Sequence, residues 1–309
     1  MRIQINSHYL RGKTGKSKFA NRLVRAWKEM GVNITEDPKA KADIALNVGR
    51  CHYSNKARKQ VLRVGPACIS TQMNYRKINH EKAQSIKKAD AIIYQSKYSK
   101  KIYHKLVCHP DKPETIIFNG ADPREYNIPS HDDDDRINFM ASTRVWLKQK
   151  RLKQIVKAFN DANIANSYIY ILGDSQGIWK KYLSHNVIFC GLCDDDTIAN
   201  FYCKCNAMIH LTYVDASPNS VVEAQIAGLP VICTDQGGTK EILRYGKVLK
   251  DKPFKYKPIN LDKPPKINQE ELINAMKSVL TWKHDNIFAK DLYIDNIARQ
   301  YLTFFERVL

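Results

Sequence analysis

Two carboxylates flank the start of a predicted helix in the stretch VDASPNSVVEAQIAGLPV. Asp215 lies in the loop before the helix, and Glu223 lies inside it. The first N–H groups of a helix lack acceptors within the helix, and with the helix dipole they favour a bound anion such as a phosphate. Because carboxylates repel phosphate, Asp215 and Glu223 suit a different task, which is to accept hydrogen bonds from sugar hydroxyls.

The residue types around this helix predict where it begins and ends. Ser217 is a favourable N-cap, and Pro218 suits the first helical position, where no N–H is needed. Gly228 suits the C′ position, so we expect a helix over 218–227. The amides predicted to face an anion are those of Asn219, Ser220 and Val221.

The string GKTGKS near the N-terminus is a second candidate for phosphate binding. A P-loop, GxxxxGK[ST], would place its first glycine at position 10, where this chain has Leu10. The nearest earlier glycine is Gly12, so the loop is too short to wrap a phosphate in that way. We expect a strand, a glycine loop and a helix whose N-terminus, near Gly15, can still face an anion. An ordinary turn without a ligand is the alternative.

These candidates must be positioned by strands and helices that alternate twice along the chain. The predicted strands are RIQIN, ADIALNV, QVLRV, ADAIIYQS and ETIIFNG, and then RINFMAST, YIYILGD, NVIFCG, NAMIHLT and LPVICTD. This alternation predicts an α/β fold with two doubly wound parallel sheets. We expect domains over 1–135 and 136–285, a linker at 129–135 and a terminal amphipathic helix within 286–309. Ligands then bind at the carboxyl ends of the strands, in a cleft between the domains.

The amino-acid composition indicates what class of protein this is and what kind of partner it binds. The chain has 309 residues, of which 43% are hydrophobic, as in a globular protein. No apolar run approaches the roughly 20 residues of a membrane span, and no signal-peptide segment is evident, so we expect a cytoplasmic protein that can lie peripherally on a membrane. The net charge of +19, most of it before residue 131, predicts a polyanionic partner, either nucleic acid or an anionic membrane.

The eight cysteines are expected to be reduced thiols in a cytoplasmic chain. Cys190 and Cys193 have the spacing of zinc ligands. Cys203 and Cys205, however, point to different faces of a predicted helix. We therefore expect no metal site.

The segment around Asp215 resembles the donor-binding signature of retaining glycosyltransferases of family 4, the group 1 or glycogen-synthase-like enzymes with the GT-B fold. That signature has an acidic residue, seven residues, a Glu, a small-residue helix, GLPV and GG; here Asp215 is followed by seven residues, Glu223 and AQIAGLPVICTDQGG. ADAIIYQSKYSKK, IIFNGADPREYN, STRVWLKQKRLKQIVKAF and YIYILGD occur in the family's order. The resemblance implies two Rossmann-like domains facing a cleft, with the C-terminal helix crossing back to the first domain.

The resemblance implies transfer of a sugar from a nucleotide diphosphosugar, with UDP as the family-based nucleotide. Arg144 and Lys150 resemble the family's diphosphate-binding pair, and fixed cations of this kind stabilise the negative charge of the departing diphosphate without a metal. Asp215 would accept hydrogen bonds from the sugar. The family retains the anomeric configuration by front-face attack that the leaving phosphate assists, and no protein nucleophile is evident here.

The remaining donor contacts are also implied by the resemblance. Glu223 would accept hydrogen bonds from the ribose hydroxyls. Gly191 and Leu192 would lie near the nucleobase. Gly15 would bring the N-terminus of the first domain's helix to the phosphate side of the donor.

The chain departs from the family pattern at several positions. Asp215 stands where the family usually has Glu, which shortens the reach of the carboxylate by one methylene. Arg151 replaces the glycine that usually follows the family's Lys. The histidine that many members carry in the first domain has no obvious match, and His52 and His80 are the candidates.

The sequence leaves two classes of acceptor as alternatives. A basic first domain can dock on an anionic membrane and modify a lipid-linked or surface glycan, although no basic helix with a clustered apolar face is evident. It can instead hold nucleic acid, as some viral GT-B enzymes do when they glycosylate a modified base. A third alternative is a GT-B-shaped protein that binds a polyanion without catalysis.

Overall fold

A computed structural model describes residues 1–12, 14–51, 56–126, 136–177, 184–282, 285 and 287–309. The predicted linker at 129–135 lies outside these residues. The chain divides into two compact units, each made of segments that are separate in sequence. Unit 1 comprises Met1–Ala121, Lys255–Ile259 and Asp291–Leu309, and unit 2 comprises Asp122–Phe254 and Asn260–Lys290.

Unit 1 is built on a parallel sheet with the strand order β2-β1-β3-β4-β5-β6. Its strands are β1 (Arg2–Ile5), β2 (Asn33–Thr35), β3 (Lys41–Val48), β4 (Lys56–Arg63), β5 (Ala91–Tyr94) and β6 (Glu114–Ile116). Its helices are α1 (Ser7–Leu10), α2 (Gly15–Glu29), α3 (Tyr75–Lys88), α4 (Lys97–Leu106) and, from the C-terminus, α10 (Ile294–Val308).

Unit 2 repeats this architecture with the strand order β12-β11-β10-β7-β8-β9, again all parallel. Its strands are β7 (Ile137–Val145), β8 (Ser167–Asp174), β9 (Val187–Gly191), β10 (Ala207–His210), β11 (Val231–Thr234) and β12 (Gly246–Leu249). Its helices are α5 (Leu152–Ala162), α6 (Asp195–Lys204), α7 (Asn219–Ile226), α8 (Thr239–Ile242) and α9 (Gln269–Ser278).

The predicted fold class, two doubly wound parallel α/β sheets, is confirmed by these strand orders. The sequence reading missed α1 and the short strands β2 and β12, which lie at sheet edges or carry little apolar pattern. None of the described helices is both long and apolar enough to cross a bilayer.

Each sheet has one point where the strand order reverses. In unit 1 this switch point lies between β1 and β3, and in unit 2 it lies between β7 and β10. The loops leaving two such neighbouring strands diverge to opposite faces of the sheet, which opens a crevice at the carboxyl ends. Ligands are therefore expected beside the residues that follow these four strands.

The terminal helix α10 completes the core of unit 1. Its apolar face packs against α2, where the edge of the Trp27 ring meets Tyr301 with 5.9 Å between ring centroids. The Trp27 indole N–H donates to the carbonyl of Ala298 at 3.2 Å. Phe305 is fully buried against the same tryptophan. The last turns of the chain are thus structural parts of unit 1.

We expect Phe305→Ala to destabilise unit 1 by about 3 to 5 kcal/mol, because it leaves a cavity beside Trp27. Gln300→Ala, on the exposed face of the same helix, is the matched control and should change stability by less than about 0.5 kcal/mol. Urea denaturation followed by tryptophan fluorescence measures both. Equal midpoints for the two variants would show that α10 is not part of the core.

Candidate functional site

The switch point of unit 2 brings Lys150, one of the two predicted diphosphate-binding residues, close to Asp215, a predicted sugar-binding residue. Arg144 lies at the end of β7, and Lys150 follows it in a 3₁₀ turn, Lys148–Lys150. Asp215 follows the neighbouring strand β10. The two connecting loops are joined directly, since the amide of Tyr213 donates to the carbonyl of Gln149 at 3.0 Å.

A bulge changes the direction of the chain at the end of β7. The register between β7 and β8 shifts between Ser142 and Val145, which is the stretch that carries Arg144. Gly173 faces this bulge with φ +111°, and a methyl group there would lie 1.6 Å from the carbonyl oxygen of Thr143. Position 173 therefore requires glycine, and the close approach sets the direction in which Thr143 and Arg144 leave the sheet.

Lys150 points back toward this bulge. Its ammonium group donates a hydrogen bond to the hydroxyl of Thr143. Partial burial lowers the pKa of Lys150 below its ordinary value, and the negative charge of Asp215 partly offsets this effect. A lysine held in this way presents a poorly hydrated positive charge, which is suited to a phosphate oxygen.

Arg151, the departure from the family's glycine, has a structural explanation. It adopts the left-handed conformation, with φ +61°, that a glycine would adopt without strain. Its fully buried guanidinium forms a bidentate pair with Asp251, at 2.6 and 3.0 Å, and donates to the carbonyl of Leu211 at 3.1 Å. Arg151 thereby ties the turn that holds Lys150 to the end of β10.

His210 is a site residue that the sequence reading missed. It ends β10, is only 6% exposed, and its Nε2 lies 4.0 Å from Oδ2 of Asp215. Burial lowers the pKa of His210 to about 4; Asp215 opposes this shift and Lys150 adds to it. The imidazole is therefore neutral near pH 7. The signal in the sequence was a lone His at the end of the apolar run NAMIH.

The loop that carries Asp215 is held in an unusual conformation. Val214 has φ +58°, which is uncommon for a β-branched residue and is often found at functional sites. Gly237 has φ +93°, and a methyl group there would lie 2.6 Å from the carbonyl oxygen of Asp215. The amide of Gly238 donates to that same oxygen at 2.7 Å. The GG turn thus packs directly against the backbone of Asp215.

Helix α7 is close to its predicted bounds, with two corrections at its N-terminus. Its N-cap is Pro218 and not Ser217, and no side chain caps it. The amide of Val221 donates to the carbonyl of Pro218 at 3.2 Å, so it is not exposed to a ligand. The amide of Val221 is thereby removed from the predicted anion-binding set at this terminus. Gly228, with φ +78°, ends the helix as predicted.

Glu223 lies on α7, is 5% exposed, and accepts a hydrogen bond from the hydroxyl of Tyr202 at 3.3 Å. A buried carboxylate needs such a donor to offset its loss of hydration. Tyr202 belongs to α6, so this contact connects α7 to α6.

Gly191 and Leu192 lie farther from this group. Gly191 ends the edge strand β9, which is two strand spacings, about 10 Å, from β7. Leu192 is 69% exposed at the carboxyl end of the sheet. Gly191 and Leu192 thus lie at the carboxyl end of β9, and Lys150 and Asp215 follow the carboxyl ends of β7 and β10 in the same sheet.

The other candidates lie in unit 1 or outside the described residues. Gly15 is the first residue of α2, whose N-cap is Thr14. His80 is exposed on α3, next to Gln84. His52 lies outside the described residues. Among the described residues, no group of three or more His, Cys, Asp or Glu side chains is placed to hold a metal ion.

Comparison with known proteins assigns most of unit 2 to a protein family. Residues 123–288, more than half of the chain, match the family described as glycosyl transferases group 1. The chain belongs to this family. The match includes all of the unit 2 residues discussed above.

Solved structures of low sequence identity share the fold over essentially the whole chain. A sucrose-phosphate synthase from Thermosynechococcus elongatus has a TM-score of 0.68 at 14% identity, covering 100% of this chain and 96% of that one. The lipopolysaccharide outer core galactosyltransferase WaaB has the same TM-score and identity, with 100% of both chains covered. Anabaena HepE in complex with UDP has a TM-score of 0.67 at 12% identity, with 99% of each chain covered.

A curated relative is an uncharacterized glycosyltransferase of Methanocaldococcus jannaschii. It is 23% identical over an alignment of 157 positions that covers 44% of this chain and 40% of the relative. The match thus spans less than half of that protein's length.

The Arg151–Asp251 pair generates a stability prediction. Arg151→Gly relieves the strained backbone but leaves Asp251 buried without its partner, so we expect a loss of about 3 kcal/mol or more. Asp251→Ala should cost a similar amount by stranding the guanidinium. The double variant should cost clearly less than the sum, as measured by chemical denaturation. Additive losses would mean that the pair is not an energetic unit.

His210 generates a pH prediction. Its pKa is lower in the folded protein than in the unfolded chain, so the unfolded chain binds more protons between about pH 4 and 6.5. Stability should therefore fall as the pH falls through this window, with His210 contributing up to about 1.4 kcal/mol per pH unit. His210→Gln should remove this contribution, whereas the exposed control His80→Gln should not. Identical slopes for wild type and His210→Gln would contradict the assignment.

Proposed function

We propose that this protein transfers a sugar from a nucleoside diphosphosugar to an acceptor hydroxyl with retention of anomeric configuration. The observation that carries the proposal is the convergence of Lys150 and Asp215 at the switch point of unit 2, beside the N-terminus of α7. Cations and helical amides suit a diphosphate, and the carboxylate suits the hydroxyls of a sugar.

In the proposed reaction, the bond between the anomeric carbon and the diphosphate oxygen breaks, and its electron pair goes to the diphosphate. The acceptor oxygen forms the new bond on the same face of the sugar. Its proton passes to the leaving phosphate oxygen, so no protein nucleophile is needed. The residues of this chain accelerate the step by stabilising charge that builds up on the diphosphate.

Lys150 and Arg144 are the proposed sources of that stabilisation. Lys150 has a partly desolvated ammonium group, and Arg144 is exposed at the end of β7, where a guanidinium can bind two phosphate oxygens. Because these cations can neutralise the diphosphate, we propose a transfer that does not require a metal. The amides of Asn219 and Ser220 are the proposed helical donors.

The sugar and nucleoside contacts are assigned by position. Asp215 is proposed to accept hydrogen bonds from the sugar. The neutral His210 lies 4.0 Å from the Asp215 carboxylate and adds no positive charge there. Glu223 is proposed to accept from the ribose hydroxyls. The nucleobase would extend toward Gly191 and Leu192. UDP is the proposed nucleotide, supported by the UDP complex of the similar HepE structure.

The acceptor is proposed to be a lipid-linked or surface glycan at an anionic membrane. The positive charge that is concentrated before residue 131 supports an anionic docking surface. Nucleic acid is the competing polyanion. The similar structures include a lipopolysaccharide galactosyltransferase, which favours the glycan.

The donor assignment predicts a kinetic phenotype. Lys150→Ala should lower nucleoside diphosphate release from the preferred sugar donor by about a hundredfold, because a preorganised charged contact to the leaving group is lost. Lys148→Ala, exposed in the same turn, is the matched control. A panel of UDP-, GDP- and ADP-sugars identifies the donor in the same assay. Wild-type rates in Lys150→Ala would contradict the assignment.

The acceptor proposal predicts preferential binding to anionic vesicles. The protein should co-sediment with vesicles that contain anionic lipid and not with neutral ones, and it should bind duplex DNA only weakly at physiological salt. Tight, sequence-independent DNA binding that falls steeply between two salt concentrations would favour the nucleic-acid acceptor instead.

A further inference from the structure

A group of cations lies at the switch point of unit 1, where β1 and β3 are neighbours. Lys16 is the second residue of α2, which follows β1. Arg50 follows β3, and Lys82 lies on α3. Arg63 ends β4. The group therefore draws on four separate elements, all at the carboxyl edge of one sheet.

The Lys16 side chain extends across two glycines. A methyl group added at Gly49 would lie 3.4 Å from Nζ of Lys16, and one added at Gly65 would lie 3.3 Å from it. Gly49 also has φ +87°, which favours glycine. Bare backbone at both positions allows the ammonium group to lie close above the ends of β3 and β4.

Lys82 is held beside the same loop by its neighbours on α3. Asn79, one helical turn earlier, is buried, accepts a hydrogen bond from the amide of Cys68 at 2.9 Å and donates to the carbonyl of Cys68 at 2.8 Å. Glu81 pairs with Arg50 at 3.0 Å. These contacts attach α3 to the loops after β3 and β4, and so set the position of Lys82.

The positive charges are close enough to affect one another. Desolvation, Arg63 and Arg50 lower the pKa of Lys16. Desolvation, Lys16 and Arg50 lower the pKa of Lys82, against smaller opposing effects of Cys68 and Glu81. Each ammonium is thus less stable in its charged form than an isolated lysine would be, because burial removes part of its hydration and other positive charges lie close to it.

Too few carboxylates compensate this group. Within the described ranges, no ion pair joins Lys16, Lys82 or Arg63 to an acidic residue, and the Arg50–Glu81 bridge is exposed on both sides. Arg63 is only 2% exposed, and its guanidinium stacks on the Phe19 ring, 4.4 Å from the ring centroid, and donates to the side chain of Asn119. It is therefore held inside unit 1 and is not itself a ligand-binding group. A bound anion would offset the repulsion among Lys16, Arg50 and Lys82.

We propose that Lys16, Arg50 and Lys82 form a binding site for a compact anionic group, a phosphate or a carboxylate, carried by the acceptor. This inference rests on the proposed function, in which the donor diphosphate is already assigned to cations of unit 2. A dispersed basic surface would suit any polyanion, whereas three side chains converging from three elements suit one tetrahedral or planar anion. The acceptor class is therefore a glycan or lipid headgroup that bears phosphate or carboxylate.

The test measures binding of inorganic phosphate to the full chain by calorimetry at constant ionic strength, with UDP present in excess. Lys16→Gln and Lys82→Gln should each weaken phosphate binding at least tenfold, since each removes a charged hydrogen-bond donor. The exposed controls Lys28→Gln, on α2, and Lys77→Gln, on α3, should stay within twofold of wild type. Lys16→Arg keeps the positive charge and should still bind phosphate. If it does, the weaker binding of Lys16→Gln comes from the lost charge and not from a misfolded protein.

Each other outcome has a defined meaning. If wild type binds no phosphate in the presence of UDP, or if Lys16→Gln binds as wild type does, the proposal is overturned. If UDP displaces the phosphate and Lys16→Gln weakens UDP binding, the cations serve the donor diphosphate, and the acceptor assignment is wrong. Failure of UDP itself to bind would count against the proposed donor, while phosphate binding lost in Lys16→Gln would still establish the anion site.

Discussion

Parallel pairing is the constraint from which the rest of the structure follows. It places the carboxyl ends of β7 and β10 side by side, and because the chain leaves these two strands in opposite directions, a crevice opens between them. Lys150 and Asp215 come from segments more than sixty residues apart in sequence, yet both lie at this point. The chemistry proposed for the chain depends on that juxtaposition.

Two glycines and one buried ion pair hold the loops around the crevice in place. Gly173 allows β8 to approach the bulge of β7, and Gly237 packs against the backbone of Asp215. The buried Arg151–Asp251 pair connects the turn after β7 with the end of β10. The backbone of Arg151, a non-glycine residue with φ +61°, is strained. Its ion pair with Asp251 offsets this strain, because each buried charge has the other as its partner. Rigid supports of this kind keep charged side chains in place before a ligand binds.

Much of the fold could be predicted from the sequence, because its signals are local. Apolar runs such as YIYILGD gave the main strands, and Gly228 followed by LP marked the end of α7. Asp215 was predicted from a spaced motif, and Lys150 from its resemblance to a diphosphate-binding residue of the family. The prediction of their common location needed only the rule that parallel strands end at one edge.

Other features depend on contacts between distant residues, and local patterns do not reveal them. Arg151 looked like a departure from a glycine until its partner Asp251, one hundred residues later, was seen. His210 resembled any polar residue at a strand end, and its importance comes from burial beside Asp215. The sequence predicted that the amide of Val221 is exposed to a ligand. In the structure this amide donates a hydrogen bond to the carbonyl of Pro218, within the first turn of the helix.

The most direct test is a crystal structure of the protein with a bound nucleoside diphosphosugar. We expect the diphosphate to lie about 3 Å from Nζ of Lys150 and from the amides of Asn219 and Ser220, with the sugar hydroxyls against Asp215. A diphosphate bound elsewhere, with Lys150 still hydrogen-bonded to Thr143 and out of contact with the ligand, would contradict it.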